Sequence, residues 1–275
     1  MNHSAGKQNR TADVQPLRGK RALITGSTGG LGLAMAREMA LAGCDLMLNG
    51  TEIKSEFERT CRDLADESGT KVGYQAADVG VASEVQRLVQ AARDELGGVD
   101  ILINNAVVRH FAPIVDFPED KWNAALAVNL SAAFHAIRHV LPAMRAQNYG
   151  RIFNITSVYG LRGTADRVGY VTTKSALLGL TRTVALENLD YDVTCHSICP
   201  GSVLTPGTES RILEMMANDG LDRSTAESLF LEGKQPGGQF VSPDSVVAAL
   251  IFLCGSVARD MTGAMLPVEG GWLAS

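Results

Sequence analysis

Concentrated positive charge is the first thing this chain lacks. Its 275 residues carry a formal charge of -5, with no basic run and no basic stretch interleaved with aromatics. Neutralising a phosphate backbone needs a basic face, so nucleic acid is not the expected partner. No unbroken apolar run reaches the roughly 18 residues of a membrane span, and no membrane association is expected. The N-terminal "MNHSAGKQNRTADVQPLRGK" lacks the apolar core of a secretory signal. Residues 1–16 therefore read as a flexible tail. Cysteine is sparse too. Cys44, Cys61, Cys195, Cys199 and Cys254 are odd in number and without zinc-type spacing, which points to free thiols in a reducing cytoplasm. His196 stands between two of them in "CHSIC". Neighbours on a strand point to opposite faces, so no shared ligand sphere, and no metal, is expected there.

What the chain does have is a rhythm. Short apolar runs, "RALIT" (21–25), "DLMLN" (45–49), "KVGYQAA" (71–77), "VDILINN" (99–105), "GRIFNITS" (150–157), "VTCHSIC" (193–199) and "AMLPV" (264–268), read as strands. Between them lie segments with apolar residues three and four apart, such as "LGLAMAREMALAG" and "VTTKSALLGLTRTVALEN". Strict alternation implies parallel strands joined by right-handed helical crossovers, with helices on both faces. The expected fold is a single doubly wound α/β (Rossmann) domain over residues 17–275. The segment 205–240 is longer than a crossover needs and reads as a helical lid.

Directly after the first strand stands "TGSTGGLG", residues 25–32. Gly26, Gly30 and Gly32 bracket a tight turn opening a helix, where free N–H groups and positive potential suit a pyrophosphate. At the end of the second strand "LNGTEI" places Thr51 and Glu52 and no cation before Lys54. Thr28 occupies the loop position where a base could meet a 2′-phosphate. NAD is therefore expected rather than NADP. Asp78, ending the third strand, can cap a helix or accept from an adenine amino group.

"GYVTTK" (169–174) sets Tyr170 four residues ahead of Lys174, and no other tyrosine has a lysine at that offset. Four residues apart on a helix share a face. Taken alone, the pair is as consistent with an ordinary helix as with a reactive phenol. In context it is not alone. "TGSTGGLG", "ADV", "NNA", "VNLSA", "ITS", "YVTTK" and "CPG" stand in an order that resembles the short-chain dehydrogenase/reductase family across residues 17–275.

That resemblance implies a catalytic tetrad of Asn129, Ser157, Tyr170 and Lys174. It implies cofactor contacts from Gly26, Thr28, Gly30, Leu31, Gly32, Thr51, Asp78, Val79, Asn105, Ala106, Tyr170, Lys174, Pro200, Gly201 and Val203. Val107 departs from the glycine usual after "NNA". A phenol with a pKa near 10 must be acidified to act as a base near neutrality, and a close ammonium favours the phenolate. Tyr170 would then exchange a proton with an alcohol, Ser157 would hold its oxygen, Lys174 would also hold ribose hydroxyls, and Asn129 would anchor a water.

Within the family the sequence is similar to the branch oxidising small hydroxy acids such as 3-hydroxybutyrate, which grips the carboxylate with glutamine, histidine, lysine and a second glutamine. Those positions fall on Arg109, Tyr159, Arg167 and Gln235. Two arginines offer planar forks for an anion, with Arg162 and His110 close in sequence. A small anionic hydroxy or keto acid is the expected substrate. A 3-oxoacyl carrier-protein reductase, a dehydrogenase of another anionic or polyhydroxylated alcohol, and a dinucleotide-sensing or scaffold protein are the alternatives. The resemblance also implies a homotetramer, with helices around 123–146 and 170–189 as contact faces. His135 and His139, one turn apart, read as structural.

Overall fold

A computed structural model describes residues 15–275, so nearly all of the expected 1–16 tail lies outside the described residues. Seven strands form one parallel sheet in the order β3-β2-β1-β4-β5-β6-β7. They are β1 (Arg21–Ile24), β2 (Asp45–Gly50), β3 (Val72–Ala76), β4 (Ile101–Asn104), β5 (Gly150–Ile155), β6 (Val193–Pro200) and β7 (Met265–Val268). Each expected strand is present; β2 and β6 run one residue further than expected, and the others are shorter by one to three residues. The middle strands are buried along their whole length, β5 and β6 without exception, as sheets covered on both faces require.

The connecting helices explain that cover. On one face α1 (Gly30–Leu41), α2 (Lys54–Ser68) and α9 (Pro243–Cys254) press Met35, Met39, Phe57 and Leu250 onto Ile24, Leu46 and Ile103. On the other, α3 (Ala82–Leu96), α5 (Ala132–Ala146) and α6 (Val168–Leu186) press Leu88, Val140 and Val184 onto Leu23, Leu102 and Ile152. The order reverses between β1 and β4, and such a switch point opens a crevice at the strands' C-terminal ends.

α4 (Glu119–Leu126) runs into α5 through a π-helical turn, Ala127–Ser131. Wide turns of this kind are rare and concentrate at functional sites. This one carries Asn129. The whole run Glu119–Ala146 is 28 residues, long and apolar enough by length and composition to cross a membrane, which the lack of an unbroken apolar stretch did not reveal. Its α5 part packs on β4, β5 and α3.

The lid is two helices, α7 (Pro206–Asp219) and α8 (Arg223–Leu231), each started by a side-chain cap from Thr205 and Asp222. Between them they bury Ile212, Ala226, Phe230 and Leu231 in a small core separate from the two sheet faces. The chain leaves at Val203 and returns at Val241, which pair in a single parallel bridge.

Candidate active site

The crevice is a cavity of about 870 Å³ running from the glycine turn to the lid. At its first end, Gly26 sits at φ 60, in the left-handed region where a side chain is strained. Its neighbour in space, Gly32, has no room at all: a Cβ there would lie 2.2 Å from the Gly26 carbonyl oxygen and 2.6 Å from the Asn105 amide. Asn105 Nδ2 donates to the carbonyls of Thr25 (3.0 Å) and Gly26 (2.8 Å), and Asn49 Oδ1 accepts from the Gly26 N–H at 3.2 Å. Two amides, the buried Asn49 and the half-buried Asn105, thus hold the turn open.

Beside the turn, Thr28 Oγ1 donates to Glu52 Oε1 at 2.9 Å. Thr51 and Glu52, both offered by "LNGTEI", line this corner of the wall. Asp78 Oδ1 accepts from the Gly80 N–H at 2.8 Å while Glu84 accepts from the Asp78 N–H. Leu31, Val79, Ala106, Val107, Pro200 and Val203 complete the lining. Gly201 does not reach it. It lies against the Glu269 backbone, where a Cβ would stand 2.9 Å from Cα, so its part is to let β6 and the segment after β7 approach.

Tyr170, Lys174 and Ser157 meet in the middle of the cavity wall. Lys174 is buried and donates from Nζ to the Ile155 carbonyl at 2.6 Å, with Nζ 5.7 Å from the centre of the Tyr170 ring. The Arg109 guanidinium carbon lies 5.3 Å from that ring. Burial alone would raise the Tyr170 pKa; the charges of Lys174 and Arg109, with hydrogen bonding by Ser157 and Arg109, more than offset it, and the phenol lies below its ordinary value. Burial is also the main cause depressing Lys174, with Arg109 adding to it and Tyr170 opposing. A buried phenol beside two cations is the arrangement for moving a proton to or from an alcohol.

Asn129, expected to anchor a water, has its side-chain amide engaged by the backbone at Val108. It is 3% exposed and stands behind the wall. Its Oδ1 accepts from the Val108 N–H at 2.8 Å and its Nδ2 donates to the Val108 carbonyl at 3.0 Å and towards Thr173 Oγ1 at 3.3 Å. The π-helical turn thereby clamps the backbone immediately before Arg109.

Arg109, Arg167, Tyr159 and Phe111 line the far end. The Arg167 guanidinium stacks 4.6 Å from the Phe111 ring and 5.0 Å from that of Tyr159. Gln235 is not among the lining residues. It is 3% exposed, with Oε1 accepting from the Ser202 N–H and Nε2 donating to the Ser202 and Gln239 carbonyls. Its amide, expected to contact substrate, instead ties Ser202 to Gln239 at the base of the lid in this structure. His110 packs edge-on against Phe117, and Arg162 is exposed; neither lines the cavity. Sequence reasoning missed Arg211 and Phe230 of the lid and the nearby Lys234. Arg211 and Phe230 line the cavity, and Arg211 lies 5.0 Å and Lys234 4.0 Å from the Phe230 ring. Trp272, also missed, packs behind this wall on Tyr159 at 5.2 Å.

A glycine turn at the switch point of a parallel sheet, leading to a tyrosine acidified by a lysine one turn on, defines a dinucleotide-dependent oxidoreductase. The family model for short chain dehydrogenase matches residues 20–215; the chain belongs to that family, and is an oxidoreductase acting on hydroxyl groups with a nicotinamide cofactor. It is 39% identical to a D-beta-hydroxybutyrate dehydrogenase of Cupriavidus necator, covering 94% of this chain and 99% of that one. A protein so named from Rhizobium meliloti is 40% identical, covering 93% and 99%. Among solved structures, L-sorbose reductase from Gluconobacter frateurii, complexed with NADPH and L-sorbose, superposes with a TM-score of 0.90 at 29% identity, covering 96% of this chain and all of that one.

Proposed function

We propose that this protein is an NAD-dependent dehydrogenase that moves a hydride between nicotinamide and a small hydroxy acid of the 3-hydroxybutyrate kind, through an altered anion-binding pocket. One observation carries the reading: the acidified Tyr170 lies between Lys174 and Arg109 on the wall of a cavity that begins at the glycine turn. The two hydroxybutyrate dehydrogenases among its relatives support the substrate class.

The cradle left by Gly26 and Gly32, filled if either had a Cβ, fits a dinucleotide, with Asp78, Val79, Asn105 and Ala106 beyond it. The Glu52 carboxylate beside Thr28 suits a ribose 2′-hydroxyl and repels a 2′-phosphate, which favours NAD over NADP and weighs against the carrier-protein reductase reading. When bound, the nicotinamide supplies the hydride acceptor. Tyr170 takes the alcohol proton, and Ser157 holds the same oxygen so that the reacting hydrogen is presented from one direction. Lys174 keeps the phenolate favoured. Asn129 keeps the Arg109 segment in register. Arg109 and Arg167 grip the carboxylate. We place the enzyme in the cytoplasm, where its buried free thiols persist, as a homotetramer with contacts through the helices around 123–146 and 170–189.

Cofactor reduction with D- and L-3-hydroxybutyrate and larger hydroxy acids tests this, with light scattering for the assembly. Turnover with NAD supports it. NAD binding without oxidation of any hydroxy acid would replace it with the sensor reading.

A further inference from the structure

We infer that the substrate is a hydroxy acid carrying a second anionic group, held by Arg211 and Lys234 of the lid region while Arg109 and Arg167 hold the first. The inference rests on the proposed dehydrogenase reading and names the substrate class for the same site.

A monocarboxylate has one fork-shaped anion to offer, and the arginine pair beside Tyr170 already answers it. Arg211 and Lys234 are then left over. Arg211 is tied to the substrate end rather than to the cofactor end, because its guanidinium carbon and that of Arg167 both lie within 5.4 Å of the centre of the Phe111 ring. Phe230 is shared in the same way by Arg211, at 5.0 Å, and Lys234, at 4.0 Å. The two rings link Arg167, Arg211 and Lys234 in a row; Lys234 stands just behind the wall, where its Nζ donates to the Phe230 carbonyl.

Among the described residues none of the four cations has a carboxylate in ion-pair contact. Three of the lid's acids are engaged elsewhere: Glu209 and Glu227 accept from Arg223, and Asp222 from Thr225. Glu52 accepts from Thr28 and Asp78 from Gly80 at the opposite end. Glu214 is the lid acid on the cavity wall, and it is exposed.

The cations work against each other meanwhile. Burial, then repulsion by Arg211 and Arg167, lowers Lys234 to about 8. Arg167 is lowered by burial, with Arg211 and Arg109 adding to the effect. Arg167, Arg211 and Lys234 are partly buried, repel one another and have no carboxylate in ion-pair contact among the described residues, an unfavourable arrangement. An occupant with two negative groups relieves both the desolvation and the repulsion, and does so as the lid meets it.

The second group can be a carboxylate, a phosphate or a sulfonate, since all satisfy an arginine fork. Steady-state oxidation with NAD separates them, using D-3-hydroxybutyrate as the monoanion, 3-hydroxyglutarate as the dicarboxylate, 3-phosphoglycerate as the phosphorylated acid, and 3-hydroxybutyryl-CoA as the thioester. The expected result is a kcat/KM at least about tenfold higher for a doubly anionic acid than for the monoanion. In the Arg211→Met/Lys234→Met variant that ratio falls by about tenfold or more, mostly through KM. NADH binding by fluorescence reports that the variant is folded. If it is not, Arg211→Gln alone decides the matter by the same ratio.

Preference for 3-hydroxybutyrate in the parent enzyme, or a ratio the variants leave unmoved, overturns this inference and spares the dehydrogenase reading. Faster turnover of the CoA thioester also overturns it. Oxidation of none of these acids removes the dehydrogenase reading itself.

Discussion

Replacing Arg109 by alanine takes one positive charge from the neighbourhood of the Tyr170 phenol. At the 5.3 Å between guanidinium carbon and ring centre, two unit charges interact by about 0.8 kcal/mol at the dielectric of water and about 3 kcal/mol at an effective value near 20. Arg109 is exposed, so screening puts the effect towards the lower figure, about 1 kcal/mol. One pKa unit corresponds to about 1.4 kcal/mol, which makes the expected shift between about half a unit and one unit. Its sign follows from the cation favouring the charged form: without it the phenol titrates higher. Alcohol oxidation needs the phenolate, so the acid limb of the kcat/KM profile moves to higher pH in Arg109→Ala and returns in Arg109→Lys. A loss of substrate grip lowers the whole curve without moving its inflection. An acid limb within about 0.2 unit of the parent would refute the electrostatic account of Tyr170.

Tyr170→Phe should bind NADH as the parent does in a fluorescence titration yet lose turnover by about a hundredfold to ten-thousandfold, the usual worth of a positioned acid–base group. Gly32→Ala should abolish NADH binding, because its Cβ would strike the Gly26 carbonyl; a calorimetric titration with near-parent affinity would contradict the cradle. Glu52→Ala with Thr28→Arg should move the NAD-to-NADP preference by at least about tenfold towards NADP, read as the ratio of kcat/KM values. His196 is fully buried with neither ring nitrogen hydrogen-bonded and its pKa is lowered to about 4 by burial and then by Arg151. The unfolded chain therefore takes up a proton first on acidification, so stability present above about 6.5 is lost progressively as pH falls to about 4, by up to about 3 kcal/mol. Urea midpoints across that range should fall less in His196→Phe than in the parent.

The sheet was legible because its strands carry a signal that survives without context. "ALI" (22–24) and the "ILI" (101–103) of "VDILINN" are apolar on both faces, as a strand covered on both sides requires. Their ends could not be read so closely: Val99 and Asp100 lie before β4 as Asp100 turns to pair with Arg21. The Tyr170–Lys174 pair and the glycine turn were legible for a related reason. Each is a local geometry, one helical turn or one strand-to-helix corner, so spacing encodes it.

What spacing does not encode is which way a side chain faces when its partner is distant. Asn129 turns its amide to Val108, on a loop brought near by the sheet, and Gln235 turns its amide to Ser202. Both positions were named and neither amide faces the cleft. Arg211 is the converse case. It lies on an amphipathic helix among ordinary surface residues, and only the packing of α7 on α8 swings it over Phe111.

The separate core of the lid has a mechanical consequence. Because Ile212, Ala226, Phe230 and Leu231 hold one another, the two helices form a unit with its own packing, bounded at its base by the bridge between Val203 and Val241. Changes inside that unit can therefore reshape the cavity wall at Arg211 and Phe230 while leaving the cores on the two faces of the sheet as they are.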